Sequence, residues 1–280
     1  MTEKKFTEET DKVVIEVINK KILRHTIQFF HSVGGKLKPF GSGVFAKIHD
    51  DYFIITASHV ADYFEKNPND DLNIRVGKSK FINVLGDIKY TEIDKSEGVD
   101  LAYIKLDKVM IEPLLRPYIP INIEKIRSHH NLIYAMNYCV LGFPAVNISK
   151  DYEPFDTGAS FYLTSPTNDN PYEYYKFKKR DYIILKMEGK GKDIKTNNLR
   201  KISNKFHGIS GCGLWLLLYS INPETGKTEI DYRLVGVMTD YRTGRHFCFI
   251  ANKIYLVIEA LKVIEKHKFI ERTIKFELES

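Results

Sequence analysis

"NKFHGISGCGLW", residues 204–215, puts Ser210 between Gly208 and Gly211, with His207 just upstream and the apolar run Leu214–Leu218 just downstream. Two readings compete. In one, the glycines make a tight turn that closes a strand pair, because glycine adopts backbone angles that other residues resist. In the other, Ser210 is a nucleophile held beside backbone N–H groups, with the N–H groups of Gly208 and Ser210 aimed at one spot as an oxyanion site. Serine is a weak nucleophile until a base takes its proton, and the base needs a third group to orient it. The second reading therefore requires a histidine and an acid elsewhere in the chain.

"YFIITASHVAD" supplies the histidine. An apolar β run, Phe53–Ile55, ends in the small residues Ala57 and Ser58, and His59 follows at the strand exit, where an imidazole can turn into a cleft. The bland alternative is a structural histidine. "EGVDLAYIKLD" supplies the acid. Asp100 opens an apolar strand although aspartate is a poor strand former, so a partly buried Asp100 needs a partner. Its bland alternative is a turn ahead of a strand. Each signal is modest, but together they run in the order His59, Asp100, Ser210, each in a matching local context.

The rest of the chain reads as an all-β protein. Residues 10–24 carry Val14, Val17, Ile18 and Ile22 at helical spacing, and residues 253–267 carry Ile254, Val257, Ile258, Leu261 and Ile264 likewise. Between these two predicted helices lie short β-rich runs separated by Gly, Asp, Asn and Lys clusters, the pattern of an antiparallel barrel or sandwich. The segment 117–134, with Pro117 and Pro120, reads as the connection between two halves. The expected organisation is an N-terminal helical extension (1–25), a first β-barrel with the histidine and acid (26–127), a second with the serine (128–252), and a closing helix and tail (253–280). The segments 171–182 and 189–205 read as basic, loop-like surface.

Composition narrows the function classes. The 280 residues are 43% hydrophobic and 28% charged with a net charge of +6, as in an ordinary soluble globular protein. That mild charge argues against a nucleic-acid partner, although 171–182 interleaves aromatics with Lys and Arg in the manner of single-strand binders. The charged N-terminus has no apolar signal-peptide region, and no run is long enough to span a membrane. Cys139, Cys212 and Cys248 lie far apart with no C-x-x-C pair, which argues against a disulfide framework or zinc cluster and for free thiols in a reducing cytoplasm.

In joint order, these motifs resemble the chymotrypsin-like (trypsin-like) serine peptidase family. "ITASHV" resembles its histidine motif, "VDLAYIKL" its aspartate strand, and "GISGCGLW" its Gly-x-Ser-Gly-Gly stretch with Cys212 in place of a glycine. "CVLGFP" resembles the strand opening the second barrel, and "LVGVMTDY" the strand lining the specificity cleft. The overall texture is closest to bacterial intracellular members. The resemblance spans roughly residues 26–267. It implies two packed six-stranded antiparallel β-barrels and a catalytic triad of His59, Asp100 and Ser210. It also implies an oxyanion hole from the N–H groups of Gly208 and Ser210, protein or peptide substrates, and no metal or cofactor. By position, Asn204 forms the base of the substrate pocket and Thr239 and Tyr241 its wall, with Thr239 also placed to touch Asp100.

Uncharged Asn204 argues against a strict Arg/Lys preference. Tyr241 either narrows the pocket in favour of a small residue or rotates away, while Lys205 and His207 at the rim favour an acidic one. The family's activating ion pair needs an aspartate where this chain has Ile209, so regulation by a protein partner is expected instead. Two rivals remain. An α/β-hydrolase would need Gly-x-Ser-x-Gly on a strand–helix elbow with its acid and histidine after the serine, whereas here the fifth position is Cys212, "LWLLLYS" after the serine reads as a strand, and no βα alternation appears. A catalytically silent trypsin-like binding module is the other, favoured by Ile209 and Cys212 beside the serine.

Overall fold

The computed structural model describes residues 3–33, 36–67, 70–77, 80–92, 98–128, 137–144, 158–187, 190–193, 199–201 and 208–267. Among them two curled antiparallel sheets carry most of the chain. The first contains β1 (Thr26–Val33), β2 (Lys36–Ile48), β3 (Asp51–Thr56), β4 (Leu72–Arg75), β5 (Phe81–Asn83), β6 (Gly86–Tyr90), β7 (Ala102–Leu106) and the two-residue β8 (Ile121–Asn122). Its order is β5-β4-β1-β2-β3-β7-β6, with β8 added in parallel to β2.

The second sheet contains β9 (Tyr138–Gly142), β10 (Ser160–Thr164), β11 (Tyr182–Lys186), β12 (Lys190–Asp193), β13 (Leu199–Lys201), β14 (Gly213–Ile221), β15 (Thr228–Arg242) and β16 (Cys248–Lys253). Its order is β11-β16-β15-β14-β9-β10-β12-β13. The expected pair of antiparallel barrels is therefore present, with β8 and the β12–β13 hairpin as additions. That hairpin lies inside 189–205, which the sequence presents as loop. Its Lys- and Gly-rich strands carry no hydrophobic alternation, and it is pairing with β10 that extends them. Likewise 171–182 is not all loop: Asn170–Tyr175 forms a short helix with Pro171 in its first turn, where a missing N–H costs nothing.

The terminal helices bind the two sheets to each other. The N-terminal helix runs over Glu3–Val17, continues through a π-helical turn, Ile18–Ile22, and ends at His25. Its buried Val14, Val17, Ile18 and Ile22 share one core with Val44 and Phe53 of the first sheet, Trp215, Leu217 and Ile230 of the second, and Ile258 and Leu261 of the closing helix Tyr255–Ile264. His25 sits at the same junction. Its Nδ1–H donates to the Ile119 carbonyl (2.7 Å), which leaves Nε2 to accept from the Tyr232 hydroxyl (2.8 Å), and the ring stacks on Trp215. Burial, the main influence on this imidazole, lowers its pKa and keeps it neutral.

Candidate active site

The histidine half of the site is built on the first sheet. β3 ends at Thr56, Ala57 stays extended, and a helix begins at Ser58 and runs to Lys66. The Ser58 hydroxyl donates to the Thr91 carbonyl (2.5 Å) and fixes the start of that helix. His59 thus occupies its second position. β7 lies beside β3 with Ala102 opposite Thr56, so Asp100, two residues ahead of Ala102, arrives next to His59. Asp100 grips the histidine twice. Oδ1 accepts the His59 backbone N–H (2.9 Å), and Oδ2 accepts Nδ1–H (2.6 Å).

An ionised carboxylate only accepts, so Nδ1 must carry the proton and Nε2 is left with its lone pair. The His59 side chain remains 43% exposed whereas Asp100 is 13% exposed. Burial disfavours the imidazolium, but the hydrogen bond to Asp100, the Asp100 charge and the further charge of Asp240 outweigh it and raise the His59 pKa above its ordinary 6.5. Asp100 is in turn held by a residue the sequence did not single out. Asn252, fully buried on β16, accepts the Asp100 backbone N–H through Oδ1 (3.1 Å). No motif surrounds Asn252. The available signal was an uncapped polar residue inside the apolar run "FCFIANK".

The serine half is built on the second sheet. Gly208 and Gly211 both take the left-handed backbone, with φ of 96° and 87°. A Cβ on Gly211 would lie 2.0 Å from the Ser42 carbonyl oxygen and 2.1 Å from the Thr56 hydroxyl, so no other residue fits there. Gly211 N–H ties the loop to the Met238 carbonyl of β15 (2.7 Å), and Cys212 N–H closes it on the Ile209 carbonyl (3.0 Å). Ser42 of β2 binds the loop from the first sheet: its hydroxyl donates to the Gly208 carbonyl (2.6 Å) and its N–H to the Ser210 carbonyl (2.9 Å).

Ile209 points the other way, into the second sheet's core with Tyr138, Val140, Ile183 and Cys212. With these carbonyls engaged, the N–H groups of Gly208 and Ser210 donate to nothing among the described residues. Successive unengaged amides in such a turn form an anion-binding concavity. Ser210 and His59 come to the same cleft but share no hydrogen bond in this arrangement.

The remaining expected residues are placed as follows. Tyr241 lines a depression beside Ser210 with Ile209, Met238, Asp240 and Phe249. Thr239 is buried, and its hydroxyl donates to the Ile250 carbonyl (3.4 Å) rather than reaching Asp100. Asn204, Lys205 and His207 lie outside the described residues. Asp240, also unforeseen, pairs with the Arg242 guanidinium (2.7 Å) and accepts the Tyr241 N–H (2.7 Å); burial nonetheless raises its carboxyl above the usual range. Cys212 is buried, and its surroundings push its thiol well above the ordinary cysteine range, so it offers no thiolate beside Ser210. All three cysteines are free and buried. No group of three or more His, Cys, Asp or Glu suited to a metal occurs among the described residues, and no helix there is long and apolar enough to cross a membrane.

No family model and no curated protein sequence matches the chain. Solved structures do. The structure of GrC, a granzyme, aligns with a TM-score of 0.54 at 15% identity over 87% of this chain and 95% of its own. The scabies mite inactivated protease paralogue S-I1 aligns at 0.55 and 12% identity, over 88% and 96%. HL collagenase aligns at 0.53 and 12% identity, over 88% and 95%. These similarities define the chain's fold as trypsin-like, two antiparallel β-barrels. At such identities they speak to the fold and not to the reaction.

Proposed function

We propose that the chain is a serine endopeptidase. The observation that carries this reading is the two-point grip of Asp100 on His59, set across the cleft from a serine loop whose Gly208 and Ser210 amides are unengaged. In the proposed reaction His59 Nε2 takes the Ser210 hydroxyl proton as the oxygen attacks a peptide carbonyl. The amides of Gly208 and Ser210 stabilise the oxyanion, and the imidazolium, steadied by Asp100, returns the proton to the leaving amine. Water then repeats the sequence on the acyl-enzyme. The missing Ser210–His59 hydrogen bond does not count against this, since such bonds tighten when substrate arrives. Substrates are proteins or peptides, no cofactor takes part, and three buried thiols suit a reducing compartment such as the cytoplasm. Regulation by a protein partner belongs to the same proposal, since Ile209, packed in the second sheet's core, leaves the loop without the family's activating ion pair.

A second reading is favoured by one observation: the fold is shared equally with a protease paralogue described as inactivated. In that reading the cleft binds protein without cutting it. A small fluorophosphonate probe separates the two. Covalent labelling of Ser210, lost in Ser210→Ala and in His59→Ala, supports the peptidase; an unlabelled wild-type chain refutes it and leaves the binding module.

A further inference from the structure

The Ser210 amide is held from behind. Its own peptide unit is engaged through the Ile209 carbonyl, which accepts the Cys212 N–H (3.0 Å). The peptide units on either side both end on Ser42. The Gly208 carbonyl accepts the Ser42 hydroxyl (2.6 Å), and the Ser210 carbonyl accepts the Ser42 N–H (2.9 Å). Three consecutive carbonyls of the loop are thus engaged, while the Ser210 N–H between them has no partner among the described residues. Only the bond from the Ser42 hydroxyl comes from a side chain, so only that one can be deleted by a substitution that spares the backbone.

β2 is shaped for this contact. Its ladder with β3 stops at Val44 opposite Ile55, which frees the backbone of Ser42 for other partners. The Ser42 carbonyl accepts the hydroxyl of Thr56 (2.8 Å), the last residue of β3 before the turn to His59. Glycines flank Ser42 on both sides. A Cβ on Gly41 would press on Val60 at 3.0 Å, and one on Gly43 would meet the Ile54 side chain at 2.6 Å, so larger residues there would hold β2 off. Ser42 and Thr56 are both fully buried. A chain of bonds from Thr56 through Ser42 to Gly208 therefore joins the strand that launches His59 to the loop that carries Ser210.

Gly208 itself supplies little restraint. At φ 96° it has no Cβ, and glycine moves between backbone regions at small cost. Without the Ser42 hydroxyl its carbonyl would be left unsatisfied, which favours rotation of the peptide unit towards another donor. We infer that Ser42 is a positioning residue for the oxyanion site: its hydroxyl, through the Gly208 carbonyl, holds the Ser210 N–H where the oxyanion develops. The inference rests on the peptidase reading above.

The test is the rate at which a small alkyl fluorophosphonate labels Ser210 in the full-length protein. Labelling forms an O–P bond at Ser210, expels fluoride and passes the serine proton to His59, with the phosphoryl oxygen standing where the oxyanion would. Ser42→Ala should label about tenfold or more slowly at saturating probe, short of the roughly 100-fold or more that loss of a donor itself costs, with the half-saturating concentration within about twofold of wild type. The acid limb of the pH profile should stay in place, because both His59–Asp100 bonds are untouched. Ser42→Cys, similar in size but a weak donor, should be equally slow, which assigns the effect to the hydroxyl and not to its volume. Where Ser42→Ala does not fold, Ser42→Cys carries the test. A wild-type labelling rate in either variant, or a lowered melting temperature with no loss of rate, makes Ser42 a packing residue and overturns the inference, while labelling of the wild type keeps the peptidase reading intact. A wild-type chain that never labels overturns both.

Discussion

The two halves of the candidate site are held by different means, one through side-chain bonds and the other through backbone shape and backbone bonds. On the first sheet, His59 and Asp100 are fixed by directional polar bonds: two from His59 to the Asp100 carboxylate, one from the Asp100 N–H to Asn252, one from Ser58 to Thr91. On the second, the Ser210 loop is fixed by shape and by bonds to its backbone: two left-handed glycines, an Ile209 sunk in an apolar core, and two carbonyls that accept hydrogen bonds from Ser42. On the proposed peptidase reading, the difference follows from what each half has to do. An imidazole that collects and returns a proton must be oriented by groups that also feel its charge. An oxyanion site must keep its amides bare, so its hydrogen-bonding partners have to be spent elsewhere and packing has to supply the rigidity.

The comparison breaks first at the chemistry. Ser210→Ala and His59→Ala should each lower peptide cleavage by at least about 10⁴-fold with the circular dichroism spectrum unchanged. The double variant should be little worse than either, because groups acting as a unit are not additive. Cleavage by Ser210→Ala at the wild-type rate sinks the assignment.

Next comes the shape-held half. Gly211→Ala forces a Cβ to within 2.0 Å of backbone and a strained φ, and Ile209→Asp buries a carboxylate in an apolar cluster. Each should cost about 3 kcal/mol or more in urea unfolding, or prevent folding. A stable, active Ile209→Asp would show that a cation waits near that position, which the packing argument denies.

On the polar half the effects are smaller. Asn252→Ala removes a hydrogen bond to a backbone N–H while leaving both Asp100–His59 bonds, so kcat/KM should fall about tenfold with little change in KM. A fall in stability alone would make Asn252 a packing residue.

The smallest effect is a shift in pH dependence. Protonated His59 cannot accept the serine proton, so activity is lost as pH falls through its pKa. Because that pKa is raised, the acid limb of kcat/KM should lie above 6.5. Asp240→Asn removes one of the charges that raises it and should move the limb down. For stability the sign is the reverse: the His59–Asp100 attraction is fully present below the unfolded histidine pKa and fades as pH rises through the folded one. A limb that stays put in Asp240→Asn would remove Asp240 from the electrostatics of the site.

What the sequence disclosed follows the same division. His59, Asp100 and Ser210 stood out as candidates because each sits where a β run meets small or turn-forming residues, and such transitions are local. The helices were legible from spacing, and Val14, Val17, Ile18 and Ile22 are all buried as that spacing required. Asn252 and Asp240 were not, because Asn252 accepts from a backbone N–H 152 residues away and Asp240 acts on His59 through space, beyond its bonds to Tyr241 and Arg242. A bulge at Thr239 was equally hidden. A one-residue slip leaves the run "LVGVMTDYR" looking like any strand, and only the register with β16 shows that Tyr241 and Phe249 face each other. The β12–β13 hairpin escaped notice because its strands are ordered by the neighbouring strand and not by their own composition.

Ser42 gives the site a history as well as a geometry. The contacts that define the serine loop join residues 166 apart in sequence, and Asn252 reaches back 152 residues to Asp100. Contacts of such separation form late, after much chain entropy has been lost. A growing chain that has displayed its histidine and acid, and even its serine, still lacks the strand that carries Asn252. If the proposed peptidase reading holds, cutting power arrives only with the finished fold, and the chain is harmless to its surroundings and to itself while it is being made.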